Sequence, residues 1–368
     1  MKLCFIAGAD SIHSQKWIKY FADKEHEVHW ISLTPNEMGD IKNAKLYQLK
    51  ECSNKALDVL FNLRKVRKLV KKIKPDILHA HYAGVNGVLA AFSEFHPFIL
   101  TAWGSDVLIN AKSGIMRPLI KFVLRKADLI TCDAEHMRKA MIELGVDPSK
   151  IRIIYFGVDT QKFSPGPKDK KIIQELNLEN SPLIISSRSL EPVYDVETLI
   201  KSIPLVLKEI PEAKFVIVGK GSEEEKLKNM VSSLKIEKSV RFIGFIPNDD
   251  LPRYIRSADI YVSTSLSDAG IASSTAEAMA CALPVIATET GENEKWIKNG
   301  EGGYLIPVKK PEVLAEKIIG LVKESGLRKG FGENNRRTIE ERNNCSKEME
   351  KMGIIYEEII KKYKTVIG

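Results

Sequence analysis

The chain has 368 residues, a formal net charge of +8, and 44% hydrophobic against 28% charged residues, the balance of a globular protein with length for two ordinary domains. No run approaches the roughly 20 apolar residues that span a bilayer, and five scattered cysteines with no CxxC pair exclude a zinc ribbon or a disulfide framework, so reduced thiols and a cytoplasmic setting are expected. The positive charge favours anionic partners such as nucleotides, phosphates or an anionic membrane surface, but no basic–aromatic interleaving marks a nucleic-acid module, so nucleic acid is not an expected partner.

The opening MKLCFIAGADS turns polar too soon for a signal peptide and reads as a first strand over 2–7. Compact apolar runs then predict strands at 27–33, 76–81, 98–102, 128–132 and 151–155. Periodicity of 3.6 residues predicts helices near 14–23, 55–73, 85–95, 115–126 and 134–144. The stretch FGVDTQKFSPGPKDKK, 156–171, has the composition of a linker. Beyond it the alternation restarts with PLIISSRS, a helix at 196–209, FVIVG, a helix at 222–234, VRFIGF, DIYVSTS, PVIATE and YLIPV. A long charged amphipathic helix over about 336–364 ends the chain. Such alternation implies parallel sheets covered by helices on both faces. The expected architecture is α/β, with Rossmann-like domains over 1–164 and 165–335, a hinge near 160–170 and a C-terminal helical segment over 336–368. Ligands of such sheets sit at the carboxyl ends of the strands, which with two domains points to the cleft between them.

The most informative stretch is SLSDAGIASSTAEAMACALPVIATETGE, 265–292. It leaves a strand, turns at Gly270, and enters a short helix that must end before Pro284. The free N–H groups and positive dipole end of that helix suit a diphosphate, and Gly270 permits close backbone approach. Ser274 and Glu277 have capping-box spacing, so Glu277 either caps its own helix or faces a ligand. Arg188 stands at the end of a strand, where a guanidinium suits bidentate phosphate binding. FIGFIPNDDL, 242–251, turns at Gly244; VGKGSEE, with Gly219 and Gly221, reads as a tight turn before a helix. In the first half, His13 follows the first strand and is as readily structural as functional. His79 reads as a structural residue of an apolar strand, and His81 as marginal. Asp106 either caps the next helix or orients a hydroxyl. No Asp-x-Asp occurs, so no metal and no cofactor are expected. Two basic amphipathic stretches, 62–74 and 116–128, suit either an anionic membrane surface or an outer helix packed on its sheet. The apolar stripe of the first is Leu63, Val66, Val70 and Ile73.

Taken in order, PDILHAHY, ADLITCDAEHMRKAMIELGV, KIRIIYFGVDTQKFSP, FVIVGKGSEEEKL, VRFIGFIPNDDLPRYIRSADIYV and TAEAMACALPVIATETGENEKWIKNGEGGYLIP resemble glycosyltransferase family 4, retaining enzymes of the GT-B fold, over nearly the whole chain. The resemblance implies an acceptor-side first domain, a donor-binding second domain facing it across the cleft and a C-terminal helix crossing back to the first, and transfer of a sugar, with retention, from a nucleoside-diphosphate-sugar to a glycan, lipid-linked or small-molecule acceptor, as in cell-envelope polysaccharide biosynthesis. It implies that Glu277 holds the ribose and that Arg188 binds the diphosphate, with Gly270, Ser273 and Ser274 beside it. It implies a nucleobase loop at Phe245 and a donor contact at Gly8, and it leaves His13 and Asp106 as catalytic candidates with Arg188. The sequence departs from the pattern at three places. The first glutamate of the family motif falls on Ala269, with Asp268 adjacent to take over its contact. Tyr194 and Asp195 stand where a lysine is expected, and Trp103 where a histidine is. A non-hydrolysing nucleotide-sugar epimerase and a non-catalytic nucleotide-sugar-binding relative are the alternatives. A dehydrogenase is disfavoured, because AGADSIH and not GxGxxG follows the first strand.

Overall fold

Runs of β-branched and aromatic residues bounded by polar turns form the strands. The computed structural model describes residues 1–36, 39–50, 55–179, 181–268 and 270–367. Its strands are β1 (Lys2–Ile6), β2 (Glu27–Ser32), β3 (Ala44–Gln48), β4 (Ile77–His81), β5 (Phe98–Thr101), β6 (Leu129–Cys132) and β7 (Ile151–Ile153), then β8 (Leu183–Ser187), β9 (Lys214–Val218), β10 (Val240–Gly244), β11 (Ile260–Ser263), β12 (Val285–Thr288) and β13 (Gly303–Ile306). They make two sheets, ordered β3-β2-β1-β4-β5-β6-β7 and β10-β9-β8-β11-β12-β13. Every pairing is parallel. Reversal of strand order at β1 and at β8 is the doubly wound arrangement, which gathers loops at the carboxyl edge.

The chain divides into two compact units. One holds Met1–Phe156 with Lys347–Gly368, and the other Gly157–Ser346. The first passage lies ahead of the expected boundary at 164, because residues 157–163 pack within the second unit. Gly157 (φ +70) approaches the backbone of Cys345 so closely that a Cβ would stand 2.3 Å from its Cα, and Arg336 donates to the carbonyls of Thr160 and Phe163.

Three elements depart from the sequence reading. β3 was not foreseen: AKLYQ is an edge strand with little buried surface, so its apolar signal is weak. The linker ends in a helix, Lys170–Glu175, capped by Asp169. The single C-terminal helix is two, Ser325–Arg342 and Cys345–Ile367. Between them Asn343 accepts the Gly157 and Val158 N–H groups through its side-chain and backbone oxygens, and Asn344 donates to Thr160. Those bonds replace helix continuation.

Both basic amphipathic stretches turn their apolar faces inward. In the helix Lys55–Ile73, Val66, Val70 and Ile73 are buried, and in Met116–Lys126 so are Ile120, Val123 and Leu124. The stripes belong to the core, so only the outer basic faces of these helices remain available to an anionic surface. Among the described residues, no helix is long and apolar enough to cross a membrane.

The core of the first unit contains histidines. His79 hydrogen-bonds to Tyr356 at 2.6 Å and to Thr101 at 2.7 Å, and His81 to Ser14 at 3.0 Å. Both are under 2% exposed. Burial lowers the pKa of His81 to about 3 and that of His79 well below its usual value. The unfolded chain takes up protons near pH 6.5 and the folded one does not, so stability is lost as pH falls. Unfolding free energy is expected to decline by roughly 1.4 kcal/mol per buried histidine per pH unit below about pH 6. Urea unfolding at pH 7, 6 and 5 checks this, and a slope unchanged in a folded His81→Gln variant would contradict it.

Candidate functional site

In the second unit, the loops after β8, β9, β11 and β12 meet around Arg188. Its Nη2 donates to Asp268 Oδ1 at 2.6 Å and its Nη1 to Ser274 Oγ at 3.4 Å. The guanidinium carbon lies 4.2 Å from the centre of the Tyr194 ring, a cation–π contact. The Arg188 and Asp268 side chains are only 9% and 8% exposed. Burial raises the Asp268 pKa, and the Arg188 charge opposes the rise. Among the described residues, Arg188 Nε has no hydrogen-bond acceptor.

Backbone approach sets this geometry. At Gly219 (φ +134) a Cβ would stand 2.1 Å from the Arg188 carbonyl oxygen, and at Gly221 one would stand 2.3 Å from that of Leu190. The two glycines therefore let the β9 loop lie directly on residues 188–190, where Leu190 N–H donates to the Lys220 carbonyl at 2.9 Å. Gly291 (φ +58) does the same for the β11 loop, since its Cβ would meet the Asp268 carbonyl at 2.3 Å. Thr264 donates to the carbonyls of Tyr194 and Asp195 at 3.1 and 2.8 Å, tying the Tyr194 turn to that loop.

Gly270 is buried, and the helix Ser273–Ala280 begins three residues beyond it, behind the N-cap residue Ala272, which gives no side-chain cap. The expected capping box does not form. Ser274 lies inside the helix, and its hydroxyl accepts from Tyr261 at 2.8 Å while Arg188 donates to it. The first-turn amides of Ser273 and its neighbours are thus without the serine cap that would have covered them. Glu277, three residues on, shares a helix face with Ser274 and is 6% exposed. Phe245 follows Gly244 (φ +75) and is 71% exposed. Ala269 lies outside the described residues.

The first-unit candidates are His13, Asp106 and Gly8. His13 sits in the first turn of the helix Ile12–Asp23, stacked 4.8 Å from Phe156 and 5.6 Å from Trp103, with Trp103 itself 4.8 Å from Phe156. Burial, helped by Lys16, lowers its pKa to about 4, so it is neutral near pH 7. Asp106 is enclosed and accepts N–H groups from Ala83, Trp103, Gly104 and Val107 at 2.8 to 3.3 Å. Both its oxygens are occupied by backbone, so it shapes the 102–107 loop and offers none to a substrate hydroxyl. Gly8 follows β1 and lines an apolar cavity.

A family profile described as "Glycosyl transferases group 1" matches residues 168–338, and one described as "Glycosyl transferase 4-like" matches residues 2–134. The chain is 24% identical to N-acetyl-alpha-D-glucosaminyl L-malate synthase of Bacillus anthracis over 96% of this chain and 95% of that protein. It is 26% identical to a phosphatidyl-myo-inositol mannosyltransferase of Mycolicibacterium smegmatis, over 73% of this chain and 67% of that protein. Its fold is that of Anabaena HepE, solved in complex with UDP, at TM-score 0.83 and 19% identity over 97% of this chain and 100% of that one. The chain is a GT-B glycosyltransferase.

The sequence of this glycosyltransferase had singled out Arg188, Asp268, Ser274 and Glu277 separately, and the fold joins the first three through direct contacts. Tyr194, which read as the loss of a lysine, is the ring against which Arg188 stacks. Gly219 and Gly291 carried a signal too, since glycines just beyond strands often mark close backbone approach. Among the described residues of the glycosyltransferase, no three His, Cys, Asp or Glu side chains cluster as a metal site would require.

Proposed function

We propose that this glycosyltransferase transfers a sugar with retention from a nucleoside-diphosphate-sugar to a lipid-linked or glycan acceptor, at the cytoplasmic membrane face and without a metal. The observation that carries this reading is Arg188, held by Asp268, Ser274 and Tyr194 beside a helix N-terminus that lacks a side-chain cap. The bond from the anomeric carbon to the diphosphate oxygen breaks, and its electron pair stays on the leaving diphosphate. Arg188 and the first-turn amides of the helix Ser273–Ala280 stabilise that growing charge. Glu277 accepts from the ribose hydroxyls, Phe245 offers an exposed ring to the base, and Asp268 holds Arg188 and contacts the transferred sugar. The acceptor oxygen bonds to the anomeric carbon on the face the diphosphate leaves, and its proton passes to the departing diphosphate oxygen. The M. smegmatis mannosyltransferase, named for a phosphatidylinositol acceptor, supports the lipid-linked class.

Thermal-shift titration with UDP, GDP and ADP tests the donor site. One nucleotide at 100 times its Kd is expected to stabilise the protein by about 2.7 kcal/mol, and Glu277→Ala is expected to abolish most of that shift. No stabilisation by any of the three would refute the reading. Stabilisation without product from any sugar conjugate would instead support a non-catalytic relative, the reading that Tyr194 in the lysine position also favours.

A further inference from the structure

The first unit encloses a cavity of about 400 Å³ at the carboxyl ends of β1, β2 and β4, within the size range of small-molecule sites. Its apolar walls are Leu33, Val59, Val85, Val88, Met116 and Leu119. The polar side chains in the lining are already engaged with protein. Thr34 donates to Asp10 at 2.8 Å, Asn110 to the Tyr82 hydroxyl at 2.8 Å, and Asn86 to the His81 carbonyl at 3.0 Å. A sugar placed there would find few free partners, whereas a hydrocarbon chain would lose nothing.

The surroundings indicate what kind of chain enters. Ile115, part of the lining, is 88% exposed, and Leu60, Phe61 and Ile109, within two residues of lining positions, are 68%, 60% and 67% exposed. Large apolar side chains exposed on the same segments that line a cavity mark an interaction site. Residues 107–127, which supply three of the lining positions beyond Asn110, carry Lys112, Arg117, Lys121, Arg125 and Lys126 and no acid. An apolar hole beside an all-cationic segment is complementary to an amphiphile with an anionic head.

We infer that this cavity takes the alkyl or prenyl chain of a lipid-phosphate acceptor, an inference that rests on the transferase reading and narrows its acceptor class. The chain lies along Val59, Val85, Met116 and Leu119, and the phosphate meets Lys112 and Arg117.

Calorimetric titration of the full chain with n-alkyl phosphates from hexyl to dodecyl, below their micellar concentrations, tests it. Affinity is expected to rise about fourfold per methylene until the cavity is filled. Leu119→Gln and Met116→Gln, at half-exposed positions, are expected to flatten that series. Lys112→Gln with Arg117→Gln is expected to weaken every member by a similar factor. A UDP and GDP thermal shift on each preparation reports the donor site independently. Flat affinity across the series in the wild type, or a rise that persists in both glutamine variants, overturns the inference even where the nucleotide shift is intact. A rising series without any nucleotide shift keeps the apolar cavity and overturns its role as an acceptor site.

Discussion

Arg188→Gln is expected to lower kcat/KM for sugar transfer by about 100- to 1,000-fold, the usual loss when one preorganised donor to a developing anion is removed. The guanidinium has no room to be replaced in function by a neighbour. It is 9% exposed, and Asp268, Ser274 and Tyr194 already surround it. The single substitution also leaves Asp268 buried without its cation, so stability falls as well. Pairing it with Asp268→Asn separates the two effects. The double variant is expected to regain most of the lost stability, because no unpaired charge remains, and to stay as inactive as the single one. Steady-state kinetics with a thermal melt decides the matter, and activity within tenfold of wild type in either variant would remove Arg188 from the reaction.

Gly219→Ala is expected to destabilise the second unit by about 3 kcal/mol, through left-handed strain and an added methyl with no space. The same alanine at Gly320, where a Cβ meets nothing within 4 Å, is the control. For a unit of this size that is a fall of roughly 6–12 °C in the melting midpoint. The obstacle is the Arg188 carbonyl, 2.1 Å from the would-be Cβ, so whatever fraction folds must displace the backbone that carries the arginine. Nucleotide affinity should therefore drop along with stability. A Gly219→Ala protein that melts like wild type and binds nucleotide equally well would mean that the contact is not rigid.

Much of the fold was legible because buried parallel strands are written as unbroken apolar runs. ILHAH in β4 is buried along its whole length and announces itself. AKLYQ in β3 is half exposed and looks like loop, and nothing local in Asn343–Asn344 says that a helix must stop there to bind residues 157–160. The site followed the same division. Strand-end position and motif spacing flagged Arg188 and Asp268 individually, but their ion pair joins residues 80 positions apart and needs the folded loops. Ser274 misled, because capping-box spacing is a local pattern while its hydroxyl was claimed by Tyr261 and Arg188. Asp106 likewise carried the right chemistry for a catalytic group, and only its four backbone partners reveal what it does.

The first unit is discontinuous in sequence, and synthesis on the ribosome gives that fact a temporal meaning. Residues 157–346 form an uninterrupted unit and can complete their packing as soon as they emerge. The earlier-made residues 1–156 must wait, because Tyr356, the partner of His79, and Glu348, whose carboxylate accepts the Tyr155 N–H at 3.0 Å, arrive only with the last helix. Until then a half-finished hydrophobic core, with His79 still without its tyrosine, stands open to chaperones, so the half that is translated first is the half that matures last.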